Sequence, residues 1–147
     1  MKKIILGISF VVSSIFAYDD SSSVTIRPHF GYGTNSTQHY GLKILKASNA
    51  NQAYGLEVTR FTTNIDQFTA VGIILEERSY SWFHSSIGTV GYFNYEANNQ
   101  NIIGLTSNLG WEPHSKTLFK PFIAYRNDVI FAKRIRTIHS ISIGLRF

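Results

Sequence analysis

From residue 24 onward, large apolar residues recur at every second position, which is the side-chain repeat of a β-strand. Val24, Ile26, Phe30 and Tyr32 alternate with Thr25, Arg27 and His29, and Pro28 marks an interruption. Tyr40, Leu42 and Ile44 alternate with His39, Gly41 and Lys43, and Tyr54, Leu56 and Val58 with Gly55, Glu57 and Thr59. Val71, Ile73 and Leu75 alternate with Ala70, Gly72, Ile74 and Glu76. Residues 80–95 are aromatic and broken by glycine, so the pattern assigns them to a strand without assigning its faces. Ile103, Leu105, Leu109 and Trp111 then alternate with Gly104, Thr106, Asn108 and Gly110, and Phe119, Ile123 and Tyr125 with Lys120, Phe122, Ala124 and Arg126. The last run sets His139, Ile141, Ile143, Leu145 and Phe147 against Ile138, Ser140, Ser142, Gly144 and Arg146.

Turn-forming stretches separate these runs: 33–36, 47–51, 63–66, 76–78, 96–99, 112–115 and a region around 127–136. No helical stretch competes. The pattern predicts an all-β chain of eight antiparallel strands running up and down. Strands of about 11 residues, tilted, are long enough to cross a bilayer.

The same alternation could build a soluble barrel with its apolar face turned in. Two features of the pattern favour the reverse, a transmembrane barrel. The face opposite the large apolar residues carries Gly, Ser, Thr and charges of both signs. Arg27, Lys43, Lys120, Arg126 and Arg146 are expected to share a narrow lumen with Glu57 and Glu76, paired because an isolated buried charge is costly. Aromatics also fall toward the strand ends. Tyr32, Tyr40, Tyr92, Phe93, Tyr95, Tyr125 and Phe131 are expected at one end, and Tyr54, Tyr80, Trp82, Trp111, Phe119 and Phe147 at the other, as two interfacial belts.

The first seventeen residues follow a different rule. Lys2 and Lys3 precede an apolar run from Ile4 to Phe16, and Ala17 offers a small residue before Tyr18-Asp19-Asp20. This is the layout of a secretory signal peptide, so residues 1–17 are read as an export signal and 18–147 as one β-barrel domain. Cysteine is absent, which rules out disulfides and thiol chemistry. Fourteen Lys and Arg against nine Asp and Glu make the chain basic, but an exported chain is not expected to meet nucleic acid.

The segment His139-Ser140-Ile141-Ser142-Ile143-Gly144-Leu145-Arg146-Phe147 resembles the closing strand of Gram-negative outer-membrane proteins. That resemblance implies an outer-membrane location and makes Ile141, Ile143, Leu145 and Phe147 the signature read by the barrel-insertion machinery. Lipid of the outer membrane and lipopolysaccharide are the implied surroundings, with a monomer expected.

Candidate chemistry is sparse. The lipid A deacylase family (PagL) is also an eight-stranded barrel, with His-x-Ser on a late strand and Glu on the last. Here Tyr125-Arg126-Asn127-Asp128 occupies the position of the His-x-Ser, and His139 that of the Glu, so the match is deficient in its motif. One His-x-Ser does occur, His84-Ser85-Ser86, with Glu96 downstream; His84 and Ser86 share a strand face. It keeps a lipid-modifying acyl hydrolase open as the second reading, with a soluble periplasmic lipid binder third. The five histidines lack ligand spacing, so no metal is expected; no cofactor fingerprint occurs either, and no catalytic residue is assigned. The remaining candidate is Lys133-Arg134-Ile135-Arg136, placed by strand order in the last external loop. There Lys133, Arg134 and Arg136 could meet lipopolysaccharide phosphates by charge and forked hydrogen bonds. The leading expectation is therefore a barrel with a structural or surface-interaction role.

Overall fold

The computed structural model describes residues 23–80, 82–95, 100–113 and 119–147, apart from the side chains of Ser79 and Tyr80. Residues 1–17, read as the export signal, lie outside that set, as do Glu96 and His114. Eight strands form one closed antiparallel barrel in sequence order: β1 (Val24–Gly33), β2 (Thr37–Ala47), β3 (Gln52–Thr62), β4 (Gln67–Tyr80), β5 (Phe83–Tyr95), β6 (Gln100–Trp111), β7 (Lys120–Ile130) and β8 (Arg136–Arg146). β8 returns to β1 through five register pairs from His29–Gly144 to Gly33–Ser140, and Ile26 and Phe147 exchange two backbone hydrogen bonds further along. Closure leaves no free sheet edge.

The turns are built by the residues that turns demand. Between β1 and β2, Asn35 and Ser36 both adopt positive φ, at 57° and 55°, and the Thr37 amide donates to the Thr34 carbonyl. Three residues, Thr34–Ser36, thus separate the last paired positions, Gly33 and Thr37. Between β3 and β4 the Thr63 hydroxyl accepts from the Asp66 amide at 2.9 Å. Between β2 and β3 the Asn49 carboxamide accepts from the amides of Asn51 and Gln52, both at 2.9 Å.

The alternation resolves as an inverted barrel. Ile73, Ile87, Leu105, Ile141 and Ile143 are exposed on the outside, whereas Arg27, Glu57, Glu76, Arg126 and Asp128 are buried inside. A soluble barrel has the opposite polarity. Glycine makes the lumen fillable. Gly31, Gly104, Gly110 and Gly144 each face inward, and a Cβ at these positions would meet the ring of His39, Tyr92, His84 or Phe122 respectively. Rings from neighbouring strands thus lie over the bare backbone.

Several expectations need correction. Tyr92 and Tyr95 belong to no outer belt: they are 0% and 4% exposed, inside the lumen. β5 was unreadable because Ser, Gly and Thr occupy both its faces. A register irregularity between Tyr92 and Tyr95, with Asn94 at φ 59°, then turns Tyr95 inward. Residues 76–78 are not a turn, since β4 continues to Tyr80. Within the region 127–136 the connection is confined to residues 131–135, because β7 runs to Ile130 and β8 opens at Arg136.

Candidate functional site

The lumen is organised in layers. At the end carrying residues 23 and 147, Glu112 and Glu76 gather the cations. Arg27 donates from Nη1 to Glu76 at 2.9 Å, and its Nη2 lies 3.0 Å from Glu112. Arg146 donates to Glu112 at 2.6 Å and Arg78 to Glu76 at 3.2 Å. Above this cluster, Arg126 holds Asp128 through two bonds of 2.6 and 2.8 Å and also pairs with Glu57. Residues 126 and 128 meet because positions two apart on a strand share a face. Lys43 Nζ lies 3.3 Å from Glu57, and Tyr92 donates its hydroxyl proton to Asp128 at 2.8 Å.

Apolar layers bound the charges. Toward the far end, Phe61, Phe68, Tyr92, Tyr95, Ile130 and Ile138 form a buried cluster, with Phe61 and Phe68 stacked at 5.0 Å. A smaller group of Leu45, Ala53 and Ile74 packs elsewhere in the lumen. Arg27, Arg126, Tyr92, Phe61 and Phe68 are each below 2% exposed. The interior is a packed core, as eight-stranded barrels of this width allow.

The candidate residues separate into three places. His84 and Ser86 share a face as expected, but that face is the lumen. His84 Nδ1 stands 3.5 Å from Glu112, and Asn108 donates to the Ser86 hydroxyl at 3.2 Å. His29 and His39 also point inward, their rings 5.7 Å apart. The His39 Nε2 lies 3.0 Å from Ser140 Oγ and 3.4 Å from Ser142 Oγ. His139 faces outward, stacked on Tyr125 with its Nδ1 2.6 Å from the tyrosine hydroxyl. Among the described residues no group of three or more His, Cys, Asp or Glu is placed to hold a metal.

Lys133 and Arg134 lie in the bend between β7 and β8, and Arg136 opens β8. All three are exposed at the far end. They share one short segment, and Arg136 also borders the recess at the barrel mouth. Ile141, Ile143 and Leu145 face outward from β8, and the exposed Phe147 that follows it meets the Phe119 ring edge-on at 5.0 Å.

Two residues central to the lumen went unrecognised in the sequence. Glu112 stands beside Pro113 in a stretch that reads as a turn, yet it is 3% exposed and meets three partners. Asp128 follows Asn127 in a similar stretch and is fully buried. Parity was the available signal: Glu112 continues the inward series of Asn108 and Gly110, and Asp128 that of Ala124 and Arg126.

The architecture is that of a closed eight-stranded outer-membrane-type β-barrel, with a packed ionic lumen and short connections at both ends. No protein-family model matches the chain, and no curated protein matches its sequence. Solved structures do match in fold. The N-terminal β-barrel domain of Pseudomonas aeruginosa OprF superposes with a TM-score of 0.64 at 11% identity, covering 86% of this chain and 97% of that one. Neisserial surface protein A gives 0.60 at 13% identity, covering 86% and 98%. Both are eight-stranded outer-membrane barrels. A chain from the de novo design of transmembrane β-barrels gives 0.55 at 14% identity, covering 88% and 97%. At these identities the likeness is one of fold.

Proposed function

We propose that this chain is exported and inserted in a Gram-negative outer membrane. There it serves as a non-conducting barrel with a structural or surface-interaction role, touching lipopolysaccharide phosphates through Lys133, Arg134 and Arg136. The observation that carries this reading is the inverted polarity of the wall. Apolar side chains such as Ile73, Ile103 and Ile141 are exposed, and the charges are paired within. Hydrocarbon is the solvent in which that arrangement is favourable, because every strand is paired and the ionic network lies within the lumen.

The basic segment supports the second half of the reading. With both described chain ends on the periplasmic side, the β7–β8 bend faces outward, where lipid A phosphates lie. Guanidinium and ammonium groups satisfy such phosphates by charge and by direct hydrogen bonds. The test is lipopolysaccharide retention by the purified barrel. Replacing Lys133, Arg134 and Arg136 together by Gln is expected to reduce retained lipopolysaccharide severalfold while heat-modifiable folding persists. Unchanged retention would remove the phosphate contact from the proposal. Lipid A from cells making the protein is expected to keep its acyl chains by mass spectrometry. Loss of an acyl chain that depends on Ser86 would favour the lipid-modifying enzyme instead.

A further inference from the structure

The apolar upper layer of the lumen ends in a recess at the far mouth of the barrel. Its volume is about 730 Å³. Phe68, Tyr95 and Ile138, all buried, border it from below, and the Asn35–Ser36 turn, the 63–66 turn and Arg136 border it above. Sites for small ligands typically enclose about 300–1,000 Å³, are mostly apolar with a few convergent polar groups, and recur in the mouths of β-barrels.

Two further features give the recess a chemistry. Ile65 stands on its rim 88% exposed, and Ile135, beside Arg136, is 69% exposed. On the wall an exposed isoleucine is explained by lipid, but these two sit on end turns beyond the strands, among Asn35, Ser36 and Asn64. Ile65 thus leaves an apolar side chain open on the border of the recess itself, where a bound ligand would cover it. The charge of that end is mostly basic, although Asp66 and Arg136 balance on the border of the recess itself. Lys133, Arg134 and Arg136 stand on the same end as Asp66, so cations predominate there.

The geometry points to the mouth as a binding site for a small single-chain anionic amphiphile. Its apolar portion rests on Phe68, Tyr95 and Ile138 beneath Ile65, and its carboxylate or phosphate is drawn to Arg136 with Lys133 and Arg134 nearby. A short fatty acid and an alkyl phosphate share this chemistry. The inference deepens the surface-interaction reading and rests on it only for the side of the membrane from which the ligand arrives.

The test is amide NMR of the full barrel in phosphatidylcholine nanodiscs, titrated with octanoate, octyl phosphate, octanol and octylammonium. Saturable shifts confined to amides around Thr37, Asp66 and Tyr95 are expected for at least one anion, with octanol and octylammonium at least tenfold weaker. Binding of octanoate alone assigns a carboxylate ligand, and binding of octyl phosphate alone a phosphorylated one. Arg136→Gln and Ile65→Asn, both at exposed positions, are each expected to weaken anion binding severalfold. No saturable shift at the mouth, or equal binding of octylammonium and octanoate, overturns the site. The side of the membrane is read separately. Asn64→Cys gives a single thiol in a cysteine-free chain, and an impermeant maleimide on intact cells labels it if the mouth is external. Octanoate binding without labelling would refute the external placement and leave the site standing.

Discussion

Glu57, Glu76 and Glu112 each answer more than one cation, and Glu112 shows what that implies. Its two oxygens meet Arg27 and Arg146, with His84 at 3.5 Å. Removing one member of a buried ion pair strands the others, at a cost of about 3–5 kcal/mol. Glu112→Gln is therefore expected to lower the unfolding free energy measured in urea by that order, whereas Glu77→Gln, on the exposed side of β4, should stay within about 0.5 kcal/mol of the unmodified barrel. Equal midpoints for the two variants would show that the network adds little. Much of this lumen was legible in the sequence, because Arg27, Lys43, Arg126, Glu57 and Glu76 sit on the alternate face of evident strands. Glu112 was not, since Pro113 beside it signals a turn. What keeps residue 112 in place is a distant partner, the Trp82 carbonyl that accepts its amide at 2.7 Å.

Among the strands, the β8–β1 seam is where sequence chemistry and pairing conflict. Ile26 and Phe147 exchange both backbone bonds, and hydrogen-bonded pairs recur at every second residue of an antiparallel ladder. In that register the next such pair is Pro28 with Leu145, where proline has no N–H to donate. Pro28→Val is expected to supply the missing donor, so its amide should exchange with deuterium as slowly as those of Ile26 and Phe30. Fast exchange at residue 28 would place the break elsewhere in the seam. At the end of the same seam, deleting Phe147 removes the two bonds to Ile26 and the edge-on contact with Phe119. Loss of most heat-modifiable, membrane-embedded protein at normal synthesis and export is expected; normal assembly would argue against a closing role for this residue. The strand pattern announced both β1 and β8, but β1 runs unbroken through Pro28 and only its pairing with β8 is interrupted there. It could not assign β5, where small residues on both faces erase the contrast and the irregularity at Asn94 reverses the phase.

For the whole molecule, the central claim is that one face of every strand meets hydrocarbon and the other a packed polar core. Eight-fold closure and the period-two pattern were readable together, because a phase error of one residue would expose every charge at once. The layering of the lumen was not readable, since it depends on which strands lie opposite one another across the barrel. The most direct measurement is the set of nuclear Overhauser effects between methyl groups of the unmodified barrel and the acyl chains of a surrounding nanodisc. Leu56, Ile73, Leu105 and Ile143 are expected to show strong transfer to acyl methylenes. Leu45, Ile74 and Ile130, each 0% exposed within the lumen, are expected to show none. Lipid contacts at Ile74 and Ile130, with water contacts at Ile73 and Leu105, would contradict the inverted barrel.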